Sequence, residues 1–394
     1  TAYEMLRSLV GSEMCIRDRP SEIEVGAKIK VVGVGGGGGS SINRMINNHL
    51  EGVQFIAINT DAQALHHNLA PIKIHIGKQL TKGLGAGANP DIGRRAAEEN
   101  SDEIYENLKD SDMIFITCGL GGGTGTGASP VIAEIAKETD ALTVAVVTLP
   151  FSFEGFQRQE NAQRGLKELK EKVDAIIVIP NDRIFQQIDK KTSIQDAFRI
   201  VDDVLFQGVQ GISDLIVVPG MINLDFADVK TIMSNAGSAL MGIGISTGEN
   251  RAVEAAKAAL ESPLLDLSIE GATGILFNVM GGPDLTMPEI KEAADLINSA
   301  ADPQANIIWG VSQDDSKQGQ VKIVLIATGF KEQKQSQIQQ DFSTTRKTQN
   351  YQQQIQSKSP IYGIGKNTNS QLSNSQEDID DSYSIPAYLR EKVD

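Results

Sequence analysis

The sequence predicts an α/β protein. It combines a doubly wound parallel-sheet domain, a long central helix, a second and smaller α/β domain, and a disordered tail. Three observations carry this. From Ala27 to about Pro180, short Val/Ile-rich runs alternate with helical stretches, the pattern of a parallel sheet covered on both faces. Two glycine-rich loops each follow one of those runs directly. At Lys331 the composition turns abruptly to Gln, Ser and Lys, which cannot bury enough apolar surface to fold.

In chain order, "KIKVVGVG", "VQFIAINT", "DMIFITCG", "LTVAVVTLP" and "AIIVIP" read as strands, and "NPDIGRRAAEENSDEIYENLKD" reads as helical. The first glycine loop, in "VVGVGGGGGSSINRMI", runs into a helix whose face is Ile42, Met45 and Ile46. Gly33, Gly35 and Gly38 fit a dinucleotide fingerprint, and Asp61 ends the next strand where a ribose-binding acid belongs. The second loop, "CGLGGGTGTGASP", precedes a helix marked by Val131, Ile132 and Ile135. Glycines let backbone N–H groups approach an anion, and a helix N-terminus adds its dipole. Thr124 and Thr126 add hydroxyl donors that a plain tight turn would not need. No lysine occurs between Asp110 and Lys137, so this is not the lysine-ended P-loop. In a doubly wound sheet, ligands sit at the carboxyl ends of strands. Both glycine loops, "NTDAQ", "LPFSFEG" and "IPNDRIF" all fall there.

The apolar stripe Ile194, Ala197, Phe198, Val201, Leu205, Val209 and Ile212 has helical spacing and predicts the long helix over 191–215. "NLDFADVKTIMS" places Asp225 three residues before Asp228 ahead of an apolar helix, which is a capping pattern. "GATGILFNVMGG", "NIIWGVSQ" and "QVKIVLIATGF" are strands of the second domain, with helices near 250–261 and 287–300. The expected divisions are 27–190, 191–215 and 216–330, then a disordered linker over 331–378 and a partner-docking peptide over 379–394. That peptide gathers Ile385, Pro386, Tyr388 and Leu389 at the end of the polar tether.

A formal charge of −15 argues against a nonspecific nucleic-acid binder, and no apolar run is long enough to span a membrane. Residues 1–20 contain "MCIRD", which resembles one reading frame of a transposase end sequence used in sequencing libraries. They are expected to be a read artefact or a disordered extension. Cys15 falls in that stretch, and Cys118 alone gives neither disulfide nor metal site. His49, His66, His67 and His75 show no metal spacing. These features fit a reducing cytoplasm.

Taken in order, "GVGGGGG", "NTDAQAL", "TKGLGAGANP", "GGGTGTG", "PFSFEG", "IPND", "NLDFADV" and "IPAYLR" resemble the tubulin superfamily and, within it, the FtsZ family of bacterial division proteins. The likeness spans about residues 27–330 plus the tail. It implies a GTPase that polymerises head to tail, with GTP or GDP bound and Mg²⁺ carried by the nucleotide phosphates. Gly36, Gly37, Gly38, Gly39 and Ser40, with Gly123, Thr124, Gly125 and Thr126, would hold phosphates. Glu154 and Arg158 fall at ribose and phosphate positions, Asn181 and Asp203 where guanine is read, and Phe198 against the base. Asn223, Asp225 and Asp228 would orient the attacking water in the next subunit's site. Ser40 and Asp202 stand where many members have Asn. The resemblance also implies membrane-linked division proteins as tail partners and a place on the inner membrane face at mid-cell. Two other readings stand beside it: a tubulin-like scaffold that binds GTP without polymerising, and a nicotinamide oxidoreductase built on the first loop and Asp61. The latter leaves "GGGTGTG" and "NLDFADV" unexplained.

Overall fold

The computed structural model describes residues 26–186, 192–217, 225–262, 269, 271–314 and 318–330. Asn223, residues 1–20, the stretch 331–378 and the peptide 379–394 lie outside them. Ten strands are present among the described residues: β1 (Ile29–Val34), β2 (Val53–Asn59), β3 (Ile72–His75), β4 (Met113–Gly119), β5 (Leu142–Leu149), β6 (Ala175–Pro180), β7 (Gly237–Thr247), β8 (Gly274–Gly281), β9 (Asn306–Gln313) and β10 (Gln320–Thr328). They form one sheet in the order β3-β2-β1-β4-β5-β6-β7-β10-β8-β9.

The six amino-terminal strands are parallel. Their continuous apolar runs feed two cores by alternation. Val31, Phe55, Phe115 and Val144 face one layer, and Val32, Ile56, Ile116 and Ala145 face the other. The register sets Val34 level with both Ile58 and Cys118, and Cys118 level with Val147. The strands therefore end together, and the loops that follow them share one rim.

β6 and β7 pair in parallel over Ala175–Ile177 and Gly237–Ala239. Beyond this joint, β10 runs antiparallel to both β7 and β8, and β9 closes the edge parallel to β8. Their outer face packs Leu240, Phe277, Ile323 and Leu325 on the helices Arg251–Leu260 and Met287–Ala300. Buried Arg251 ties these parts together, reaching Glu289 at 2.8 Å and Asp284 at 2.5 Å. Its guanidinium holds both carboxyls below their usual range.

β3 and β7 were not among the strands expected. β3 has only four residues, too few for alternation to register. β7, "GSALMGIGIST", is broken by glycines. Gly244 faces the backbone of Ala255 and Ala259, and a Cβ there would overlap both. The strand gives up propensity so that a helix can lie against it. The stretch 90–109 is also two helices, Pro90–Glu99 and Ser101–Leu108, jointed at Asn100.

The helix Ile194–Val217 has 24 residues, so it is about 36 Å long. It begins at the rim, where Phe198 meets Phe151 edge-on with ring centroids 5.5 Å apart. It ends at Val217, whose side chain fills the space over Gly52 at the amino end of β2. It therefore spans the depth of the sheet. Its small residues Gly208 and Gly211 face Val146 and Val324, one from each half of the sheet.

Candidate nucleotide site and a distant acid pair

The glycine run after β1 folds at once into the helix Gly35–Asn47, and the second run into Thr124–Glu138. Neither helix has a side-chain cap. Several backbone N–H groups at each N-terminus therefore lack an intrahelical acceptor. The two ends touch: a Cβ on Gly35 would lie 2.9 Å from Gly125 N. Two uncapped helix dipoles side by side form an anion site.

The glycines divide into two groups. A Cβ on Gly38 would strike Thr117 O, and one on Gly33 would come within 2.5 Å of Gly38 O. These positions are small so that the helix can lie on the strands. Gly36 and Gly122 have nothing within 4 Å of a Cβ, so packing of the described residues does not explain them. Gly37 would touch Gly119, and Gly39 the carboxamide of Asn68. Gly123, expected to hold phosphate, has its Cβ direction pointing at Ala86 and Asn89, so its small size also keys the loop 82–89 onto the second glycine loop.

The threonines also serve the loops. Thr124 Oγ1 lies 2.7 Å from Thr60 Oγ1. Thr126 Oγ1 accepts the Gly121 N–H at 2.8 Å. Ser40 is exposed on the first glycine helix. Its neighbour Ser41 is buried and donates to Asp202 Oδ1 at 3.1 Å.

Further along the rim, Glu154 Oε1 accepts the Phe151 N–H at 2.9 Å and Oε2 pairs with Arg158. Asp182 accepts the Ser152 N–H at 2.9 Å, joining this loop to the one after β6. There Asn181 is buried, and its Oδ1 has no hydrogen-bond partner. An orphaned buried acceptor costs free energy unless something fills it. Phe151 stacks on Phe153 and meets the exposed ring of Phe198.

Asp203 does not stand free. Arg44 grips it with both arms, Nε at 2.5 Å and the second nitrogen at 3.0 Å. Asp202 is the more buried carboxyl. Burial pushes it up to about 6; Asp203 adds to the rise, while Ser41 and Arg44 oppose it. Asp202 stands where many family members have Asn, and neither Ser41 nor Arg44 is among the residues expected at the site. Their signal was a serine and an arginine on the glycine helix at the spacing of one turn.

Asp225 and Asp228 lie elsewhere. They cap the helix Phe226–Met233 reciprocally: Asp228 N–H donates to Asp225 Oδ1 at 2.8 Å, and Asp225 N–H to Asp228 Oδ2 at 3.4 Å. The helix before them ends beside Gly52, and the turn after them is bonded to Asp174. Both anchors are at amino ends of strands, opposite the glycine rim. Gly36–Ser40, Gly123–Thr126, Glu154, Arg158, Asn181, Phe198 and Asp203 are thus brought to one end. Asp225 and Asp228 are not.

The chain matches the tubulin/FtsZ family GTPase domain over residues 28–189 and the FtsZ family C-terminal domain over 237–331. A solved empty FtsZ dimer from M. jannaschii is 49% identical, with a TM-score of 0.74, covering 83% of this chain and 92% of that one. The chain belongs to the tubulin/FtsZ GTPase family. A tryptophan-to-tyrosine mutant of M. jannaschii FtsZ is likewise 49% identical with a TM-score of 0.74, over 84% of this chain and 95% of that one. CetZ1 from Haloferax volcanii, solved as a GDP-bound monomer, shares the fold at 23% identity and a TM-score of 0.69, over 77% of this chain and 95% of that one. The FtsZ structures compared are archaeal, whereas the sequence motifs resemble the FtsZ family of bacterial division proteins. As a family member, the chain carries a guanine-nucleotide GTPase domain. Among the described residues, no group of three or more His, Cys, Asp or Glu is gathered for a metal ion, and no helix is long and apolar enough to cross a membrane.

Proposed function

We propose that this tubulin/FtsZ-family GTPase hydrolyses GTP to GDP and phosphate only when its chains stack head to tail. The observation that carries this is the placement of the two halves of the chemistry. The two glycine loops sit at one end of the sheet, and the acid pair Asp225 and Asp228 sits at the other. No chain can bring its own acids to its own nucleotide. Repeated top-to-bottom contact joins unlike surfaces, need not close, and generates a filament.

In this reading the uncapped N-termini at Gly35 and Thr124 hold the phosphates, with Gly36 open toward them and Gly37 lying close against Gly119. Gly38, Gly39, Ser40, Gly123, Gly125 and Thr126 shape those loops. Glu154 and Arg158 meet the ribose and phosphate edge. Asn181 and the Asp202–Asp203 pair read the guanine, whose N1–H and exocyclic amine are both donors, and Phe198 lies against the base. Mg²⁺ fits as a partner of the phosphates themselves, where it would spread the charge that develops in phosphoryl transfer. Asn223, Asp225 and Asp228 of the next chain orient and polarise the attacking water. The peptide 379–394 docks on membrane-linked division proteins and brings filaments to the mid-cell membrane face.

Light scattering with magnesium and GTP tests the proposal. GTP should raise scattering and ATP should not, and ATP should compete poorly with GTP for binding. Equal competition by ATP, or hydrolysis with no scattering at any protein concentration, would sink it.

A further inference from the structure

Asp174 lies at the amino end of β6, and the mechanism above does not use it. It is buried. Its carboxylate is divided between two backbone donors: Oδ2 accepts the Thr143 N–H at 3.0 Å, and Oδ1 accepts the Asn235 N–H at 3.3 Å. Its main chain joins the same two regions. Asp174 N–H donates to Thr143 O at 2.9 Å, and Asp174 O accepts the Gly237 N–H at 2.9 Å. Lys137 Nζ stands 4.0 Å from Oδ1. Thr143 is in the buried strand β5. One side of Asp174 is therefore fixed in the parallel sheet, and the other holds the turn at 234–237.

That turn needs holding. Asn235 is in the left-handed region at φ 51°, and Gly237 at φ 67°. It is the exit of the helix Phe226–Met233, whose entrance is the Asp225–Asp228 capping box. An eight-residue helix is too short to be stable alone, so its direction is set by what holds its ends and its buried face. Val229 and Met233, both fully buried, fix its depth. The exit is fixed by one charge-assisted bond, Asn235 N–H to the Asp174 carboxylate, and by the Gly237 N–H on the Asp174 carbonyl.

We infer that Asp174 is a positioning residue for the acid pair: it aims Asp225 and Asp228 at the neighbouring chain's nucleotide through the Asn235 turn. This rests on the shared-site reading. The same chain's nucleotide rim is at the other end of the strands and is untouched by Asp174. A displacement of about 1 Å at a reacting group costs up to about 100-fold in rate, so a relaxed turn should be felt in turnover and not in binding.

Mixing defective chains tests this. Asp228→Ala keeps a sound pocket and lacks the acid. Gly36→Phe keeps the acids and fills its own phosphate loop. Mixed with GTP and magnesium, the two should restore hydrolysis at junctions where a sound pocket meets a sound acid pair. Replacing the second partner by Gly36→Phe with Asp174→Asn should lower the restored rate about tenfold at equal sedimented polymer. Asp174→Asn alone should bind GTP with unchanged affinity. Equal restoration by both partners would overturn the inference. No restoration even by Gly36→Phe alone would overturn the shared site, and the inference with it. If Asp174→Asn melts below the assay temperature, Asn235→Ala takes its place. It keeps the N–H donor but strains the left-handed turn, and the same outcomes decide.

Discussion

Asp202 and Asp203 are neighbours in the chain and live in different surroundings. Arg44 neutralises Asp203. Asp202 faces inward to Ser41, and burial pushes its carboxyl up to about 6, against about 3.9 for a free Asp. Between those values the folded chain binds more protons than the unfolded one. Its stability from this group therefore falls as pH rises from about 4 to about 6, and stays reduced above that. Asp202→Asn removes the dependence. Without nucleotide, the variant should gain on the wild type by about 2–4 °C in melting temperature for each kcal/mol relieved as pH goes from 5 to 7. A difference that does not change with pH would show that Asp202 ionises freely. Sequence alone could place both acids on one helix near the rim. It could not say which would be desolvated, because that depends on Ser41 and Arg44 arriving from a helix some 160 residues earlier.

At the scale of elements, the glycine loops show what a sequence discloses and what it withholds. Strand, glycine run and helix were all legible, because apolar runs and helical spacing are local signals. The job of each glycine was not. Gly38 and Gly123 are small for the sake of protein neighbours, and Gly36 is small with no such neighbour. The distinction gives a paired prediction. Gly38→Ala should destabilise the fold, because Thr117 O must move, by about 1–3 kcal/mol as overpacked cores do. Gly36→Ala should leave the melting temperature nearly unchanged and weaken GTP binding severalfold. Thermal melting and nucleotide titration of both variants check it, and similar melting losses in the two would contradict the division. β7 escaped notice for the related reason that Gly244 serves a helix packed across it, a tertiary demand that overrides strand propensity.

For the whole molecule, the sheet acts as a spacer. A helix about 36 Å long joins the Phe198 side of the rim to the end that carries the acid pair. The motifs at both ends could be read from the sequence, including the capping pattern of Asp225 and Asp228. Their separation could not, since it follows from strand direction and from Val217 reaching Gly52. That separation is the centre of the account: one chain holds nucleotide, and two chains hydrolyse it. The direct measurement is GTP turnover per chain against protein concentration, with bound nucleotide and polymer followed in the same samples. The account predicts that dilution abolishes turnover at the concentration where polymer disappears, while the chains still hold GTP. Turnover per chain that stays constant after polymer is lost would contradict it.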